Sequence, residues 1–309
     1  MTAASTTRLA PSPTGALHLG NARTFLVNWL LARRQGWRVL MRVEDLDGPR
    51  VKPHADRQML DDLAWLGLTW ETPIVYQSSR ASAYADALAR LIRAGAAYPC
   101  TCSRRDAELA ASAPHADDAT APYPGTCRDR YPSAESALAT GKPVAWRIRV
   151  DDSPVAVDDQ FAGPHTCDLS RDGGDFVIFK SSGQAAYQLA VVVDDDAAGV
   201  DCIVRGDDLL SSAARQIHLR RLLGLSRPVR YWHLPLIVGP DGRRLAKRHG
   251  DTRLARHRAA GAGPQRVLGL LGFWSGLLPP APGCDAGRPR RPLRPGPPAA
   301  RTYHLLRRR

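Results

Sequence analysis

A chain of 309 residues, 44% hydrophobic and 24% charged, can bury a sizeable core in one large domain or two smaller ones. The net charge is +13, but from Gly283 onward eight Arg meet one Asp, so +7 of it belongs to the tail and the body is only mildly basic. That balance fits a polyanion held at a local patch, and equally a small-molecule enzyme with a basic tail. Met1 to Thr7 has neither a basic start nor an apolar run, and no apolar stretch approaches the roughly 20 residues of a membrane span, so no leader and no membrane are expected and the protein is placed in the cytoplasm.

Thr7 to Ala10 reads as a first strand, followed by the turn Pro11-Ser-Pro-Thr-Gly15 and a helix that begins near Leu19 and stops at Gly36. The free N–H groups at such a helix start form a ready phosphate site, with Gly20 permitting close approach and His18 and Asn21 able to donate hydrogen bonds. An ordinary strand-to-helix corner is the plainer reading of the same residues. Trp37 to Val43 is a second strand, ending in Glu44, Asp45 and Asp47 where open α/β sheets bind ligands. Glu44 can hold an ammonium group there, whereas Asp47 suits a cap for the next helix. Pro53 to Leu66 and Ser79 to Ala97 read as amphipathic helices that pack on the sheet.

Cys100, Cys102 and Cys127 fall within 28 residues. In a cytoplasmic chain such a set points to a metal, with zinc the candidate and a fourth position open; small buried thiols beside a turn are the alternative. Val144 to Val150 alternates as a half-exposed strand of a connecting subdomain. Phe176 to Lys180 and Ala186 to Val193 read as strands that return the chain to the sheet. Val204 to Leu210 ends a further strand and leads into a helix at Ser211 or Ser212. Arg205 at that strand end suits a carboxylate bound through two parallel hydrogen bonds, or else a structural ion pair with Asp207 or Asp208. Tyr231 to Val238 is a strand, and the turn Gly239 to Gly242 leads into the basic loop Arg243 to His249, either a phosphate site or a solvated face. Only four of the 43 basic residues are lysine, so Lys247 in that loop stands out. Two short helices around Gly263-Pro264 follow, and the Pro-, Gly- and Arg-rich stretch from Pro279 has no periodicity and is expected to be disordered.

Arg8-Leu-Ala-Pro-Ser-Pro-Thr-Gly with His18-Leu-Gly-Asn21 resembles the first signature of class I aminoacyl-tRNA synthetases in the glutamyl branch, and Arg244-Leu-Ala-Lys-Arg248 resembles the second. The likeness runs from Arg8 to Trp274. In length and cysteine pattern it is greatest to the glutamyl-Q enzymes, which lack an anticodon-binding domain. The resemblance implies an α/β fold: a doubly wound, Rossmann-like parallel sheet in two halves, residues 7–97 and 176–250, with an inserted zinc-loop subdomain over 98–175. A helical segment, 251–278, and the tail, 279–309, complete it.

It further implies an enzyme that activates L-glutamate with ATP and Mg²⁺ and passes the glutamyl group to queuosine in the anticodon of tRNA(Asp), acting as a monomer. Glutamate would be held by Arg8, Ser12, Glu44, Tyr187 and Arg205; ATP by His18, Gly20, Asn21, Arg244 and Lys247, with His18 and Lys247 catalytic; and one zinc by Cys100, Cys102, Tyr123 and Cys127, although His115 lies in the same loop. Asn21 stands where many relatives carry a second histidine, and Arg244 and Ala246 replace the usual Lys and Ser. Two other functions stay open: a truncated glutamyl-tRNA synthetase charging the 3′ end of tRNA(Glu), which the length disfavours, and a non-catalytic RNA- or nucleotide-binding protein.

Overall fold

The computed structural model describes residues 4–103, 106, 122–238, 245 and 251–279. In chain order the strands and helices are β1 (Thr6–Leu9), α1 (Leu19–Gln35), β2 (Arg38–Val43), α2 (Ala55–Trp65), β3 (Glu71–Tyr76), α3 (Ala81–Arg93), β4 (Ala97–Cys100), α4 (Ala134–Leu138) and β5 (Ala145–Ile148). Then come β6 (Val155–Val157), β7 (His165–Cys167), β8 (Val177–Phe179), α5 (Tyr187–Ala197), β9 (Cys202–Gly206), α6 (Leu210–Leu222), β10 (Arg230–Leu234), α7 (Leu254–Ala259) and α8 (Pro264–Trp274). Among the described residues no helix is long and apolar enough to cross a membrane.

All four residues of β1 are buried, as befits the centre of a sheet. It pairs in parallel with β2, Thr6 opposite Arg38 and Leu9 opposite Met41, and β2 pairs in parallel with β3. β9 and β10 form a second parallel ladder. The two ladders meet where the Asp201 N–H donates to the Thr6 carbonyl at 3.1 Å and the Thr6 N–H to Asp201 Oδ1 at 2.7 Å. The strand order across both is therefore β3-β2-β1-β9-β10, and the winding reverses between β1 and β9. Open α/β sheets bind ligands at such a switch point, outside the carboxyl ends of the strands.

α1 ends as expected. Gly36 adopts φ 66° and its N–H returns to the Ala32 carbonyl, with Arg33 and Arg34 in the last turn beside the negative end of the helix dipole. The core lies on both faces of the sheet. Leu9, Met41 and Leu63 pack with Val267 and Leu271 of α8 on one side; on the other, Leu91, Leu189, Ile203 and Leu219 bring α3, α5 and α6 together.

Three expectations are overturned. Residues 186–193 do not form a strand: Tyr187–Ala197 is the helix α5. Leu189, Ala190, Val191 and Val192 are buried together with Asp194 and Asp195, so the helix is covered around most of its girth and shows no 3.6-residue alternation, and a short β-branched run then reads like a buried strand. β8 does not rejoin the parallel sheet. It pairs antiparallel with β5, which pairs with β4, so the antiparallel subdomain runs past residue 175. Asp47 does not cap α2, whose N-cap is His54; it pairs instead with Arg50 at 2.7 Å and Lys180 at 3.2 Å.

Candidate active site

At the switch point a cleft of about 640 Å³ opens, lined by Arg8, Ser12, His18, Gly20, Asn21, Glu44, Tyr187 and Arg205. The five residues the sequence assigns to glutamate and three of the five it assigns to ATP thus line a single cleft. Arg244 and Lys247 lie outside the described residues, but Leu245 and Thr252 on either side of Lys247 both line the cleft.

His18 stands at the N-cap of α1 without capping it through its side chain. Its Nδ1 instead lies 3.1 Å from Thr252 Oγ1, and the backbone is tied at the same place, Leu19 N–H to the Thr252 carbonyl at 2.9 Å and Leu254 N–H to the Leu17 carbonyl at 2.8 Å. Those bonds hold Thr252 and Leu254, which follow the basic segment in sequence, against the first motif across more than two hundred residues of sequence. The N–H groups of Gly20 and Asn21 belong to the free first turn of the helix. Among the described residues a Cβ built on Gly20 meets no atom within 4 Å, and Gly20 itself lines the cleft.

The opposite end of the cleft is a relay of buried charge. Arg8 donates through Nε to Asp195 Oδ1 at 3.1 Å, Arg42 donates to the same oxygen through Nη1, and Arg42 Nη2 reaches Glu44 Oε1 at 2.9 Å. Arg8, Arg42 and Asp195 are at most 5% exposed, so each charge needs its neighbour. Burial alone would raise the Asp195 carboxyl, but the guanidiniums of Arg42 and Arg8 outweigh it and hold that carboxyl below the usual range. Among the described residues Arg8 uses only Nε in this way, and the residue lines the cleft. Burial is the main influence on Tyr187 too and, with the Glu44 charge, raises its phenol above the ordinary value, so it remains a hydroxyl donor.

Arg205 forms no ion pair with Asp207 or Asp208. Its Nε donates to His233 Nε2 at 2.9 Å and its Nη1 to Gln216 Oε1 at 2.9 Å, while Nη2 is buried with no partner among the described residues. The sequence reading missed Thr252, Arg42, Asp195, Gln216 and His233. The one local hint was the acidic run Asp194-Asp195 directly after the apolar run ending at Val193, whose carboxylates must meet donors or cations if that run is buried.

At the end of β4 lies the second cluster. The Sγ atoms of Cys100, Cys102 and Cys127 all fall within 4.8 Å of one another. Tyr123 Oη stands 3.5 Å from both Cys100 Sγ and Cys102 Sγ, and it accepts the Cys127 N–H at 3.0 Å. Zinc bound tetrahedrally at about 2.3 Å from sulfur sets its thiolates about 3.8 Å apart, so the donor set fits that ion in chemistry and in size. His115 lies outside the described residues. Burial pushes the Cys102 thiol up to about 11 and raises Tyr123 as well. For Cys127 burial is outweighed by hydrogen bonds, first that from the Thr101 backbone, and the thiol comes down to about 7. No disulfide occurs among the described cysteines.

Residues 5–273 match the catalytic-domain family of class I tRNA synthetases for Glu and Gln (E and Q). The chain is 49% identical over 295 residues to the glutamyl-Q tRNA(Asp) synthetase of Symbiobacterium thermophilum, covering 92% of this chain and 89% of that one. The chain belongs to the glutamyl-Q tRNA(Asp) synthetase family. The counterpart from Nocardia farcinica is 48% identical over 276 residues, covering 89% of this chain and 86% of its own. In fold the chain is also similar to the glutamate-tRNA synthetase of Elizabethkingia anophelis, with a TM-score of 0.75 at 24% identity; the match covers 88% of this chain and 62% of that larger one. This class I synthetase fold is the doubly wound α/β architecture expected from the two signatures.

Proposed function

We propose that this protein activates L-glutamate with ATP to glutamyl-adenylate and transfers the glutamyl group to queuosine in tRNA(Asp). The carrying observation is the cleft itself. Helix N–H groups and His18 line it at one place, and Arg8, Arg205, Glu44 and Tyr187 line it at another, a charge layout that complements a phosphate and a zwitterion with a second carboxylate. The glutamate α-carboxylate attacks the α-phosphorus and pyrophosphate leaves, so no protein nucleophile is required. The protein aligns the reactants and surrounds the phosphates with donors: His18, the first turn of α1 at Gly20 and Asn21, and Arg244 and Lys247 of the basic segment. Mg²⁺ arriving with ATP would neutralise phosphate charge. Arg8, Ser12 and Arg205 take the carboxylates, Glu44 the ammonium and Tyr187 a hydroxyl contact. The reaction would occur in the cytoplasm.

Two measurements test this reading. Radiolabelled glutamate is expected to enter queuosine-containing tRNA(Asp) and not queuosine-free tRNA(Asp). Equal incorporation into both, or charging of tRNA(Glu), would return the reading to a glutamyl-tRNA synthetase. Glutamate-dependent pyrophosphate exchange should proceed without RNA or be stimulated by it; no exchange under either condition would leave only a binding protein.

The cysteine cluster is assigned one structural zinc, held by Cys100, Cys102 and Cys127 with Tyr123 as the fourth ligand. Such an ion fixes the end of β4 to the loop that carries Tyr123 and Cys127, and it supplies stability rather than chemistry. Protein purified without added metal is expected to contain close to one zinc per chain, and Cys102→Ser to lose most of it. Full occupancy in Tyr123→Phe would remove the tyrosine from the ligand set, and zinc-free wild-type protein would remove the site.

A further inference from the structure

Arg205 owes its place in the cleft wall to a chain of buried hydrogen bonds that the glutamate reading does not use. His233 lies between two partners, with Nε2 2.9 Å from Arg205 Nε and Nδ1 2.6 Å from Asp159 Oδ2. The proton positions follow from what each partner can do. An arginine Nε always donates, so His233 Nε2 must be the bare, accepting nitrogen. Asp159 accepts from the Phe161 and Ala162 N–H groups at Oδ1, at 2.8 and 2.6 Å, and from the His233 N–H at Oδ2, at 3.1 Å. A carboxylate receiving these three donors is ionised, so His233 Nδ1 supplies the fourth hydrogen. His233 is therefore neutral, in the Nδ1–H form, and that form is the one that can accept from Arg205.

The other arm is fixed in the same way. Gln216 turns its carbonyl to Arg205 Nη1 because its amide donates to Gln188 Oε1 at 3.0 Å, and the Gln188 amide donates to Ser212 Oγ at 2.9 Å. His233, Asp159 and Gln216 are each at most 2% exposed. Among the described residues the guanidinium thus meets only neutral acceptors, two of its nitrogens are committed, and Nη2 is left with its donors unused. Among the described residues no carboxylate bonds the guanidinium directly, and Asp159 reaches it only through the imidazole of His233.

We propose that Asp159 and His233 are positioning and specificity-determining residues for the amino-acid substrate. They aim the Arg205 fork at a substrate carboxylate while keeping the Asp159 carboxylate one imidazole away from it. Asp159 belongs to the segment between β6 and β7, so the inserted subdomain takes part in choosing the amino acid. This inference rests on the reading of Arg205 as a glutamate ligand. A carboxylate placed directly on Arg205 would have fixed the side chain equally well, but it would have competed with the substrate. A neutral histidine backed by a carboxylate fixes it without competing.

The test is steady-state pyrophosphate exchange on the whole protein, with KM measured separately for glutamate and ATP, for Asp159→Asn, His233→Asn, His233→Gln and Arg205→Ala. Asn at 233 keeps a donor toward Asp159 and loses the acceptor for Arg205, whereas Gln restores an acceptor near the position of Nε2. Expected are an increase in glutamate KM of about tenfold to a hundredfold for His233→Asn and Asp159→Asn, the scale of a misplaced binding group, with ATP KM unchanged. His233→Gln should recover a large part, and discrimination against glutamine should fall in step with glutamate affinity. An unchanged glutamate KM in His233→Asn, or a parallel loss for glutamate and ATP, would overturn the proposal. Should Asp159→Asn fail to fold, as its four hydrogen bonds allow, the His233 pair decides. Normal exchange in Arg205→Ala would instead defeat the underlying reading of Arg205, whatever the other variants do.

Discussion

Arg205→Ala is expected to abolish measurable glutamate activation. The guanidinium is 5% exposed and lines the cleft, with Nη2 unpaired among the described residues. Truncating one partner of a buried charge pair costs roughly 2–5 kcal/mol, which corresponds to a loss on the order of 30- to 5,000-fold in kcat/KM. Arg205→Lys should recover little, because an ammonium cannot reproduce the planar fork that spans His233 and Gln216 while facing the cleft. The same geometry predicts strong rejection of glutamine by the wild-type protein. A neutral amide forfeits the charge-assisted pair and turns N–H donors toward a group that has only donors. Aspartate keeps the charge but is one methylene short. Pyrophosphate exchange with glutamate, glutamine and aspartate, beside circular dichroism of each variant, measures this, and comparable rates with glutamine and glutamate would sink the assignment of the pocket.

The largest effect on stability is expected at Asp195. Its carboxylate, 2% exposed, is shared by Arg8 and Arg42. Asp195→Asn leaves two buried guanidiniums facing a neutral amide, and breaking a buried pair in this way costs about 3–5 kcal/mol. For a large domain a cost of that size lowers Tm by roughly 6–20 °C. The acid side of the effect has a definite sign. The Asp195 carboxyl is depressed in the folded protein, since the guanidiniums of Arg42 and Arg8 outweigh burial. Its contribution is therefore complete above the unfolded value of about 3.9 and fades as pH falls through the lower folded value. The gap in stability between wild type and Asp195→Asn should be at its full width near neutrality, begin to narrow only below about pH 4 and close as pH falls through the lower folded value. Urea denaturation across that range checks it, and equal stability at pH 7 would show the relay to be dispensable. Glutamate KM should also rise in the variant, because Asp195 sets the direction of Arg8.

What the sequence by itself determined is the set of local devices and their order. The turn Pro11 to Gly15 and the helix start at Leu19 appear where the chain spells them, and the helix stops at Gly36 in a left-handed backbone conformation that few residue types allow. That Cys100, Cys102 and Cys127 form one group and that Glu44 and Arg205 stand at strand ends was equally legible, since reactive residue types next to a strand end or a turn are informative on their own.

What only the tertiary structure decided is the partner of each buried charge. Asp194, Asp195 and Asp196 are adjacent and identical in the sequence. The helix turns each by about 100° from the last, sending Asp194 to Gln77 and Tyr84, Asp195 to Arg8 and Arg42, and Asp196 to Arg220. That separation was invisible to a reading that took the segment for a strand. Arg205 had Asp207 and Asp208 as sequence neighbours, yet its bonds go to His233 and Gln216, and His233 is anchored by Asp159, 74 residues before it. Strand order brings β9 beside β10, with Arg205 level with His233, and that order is set by which apolar faces can be buried together over the whole chain. A sequence states which groups must find partners; the packing of distant elements decides which partners they find.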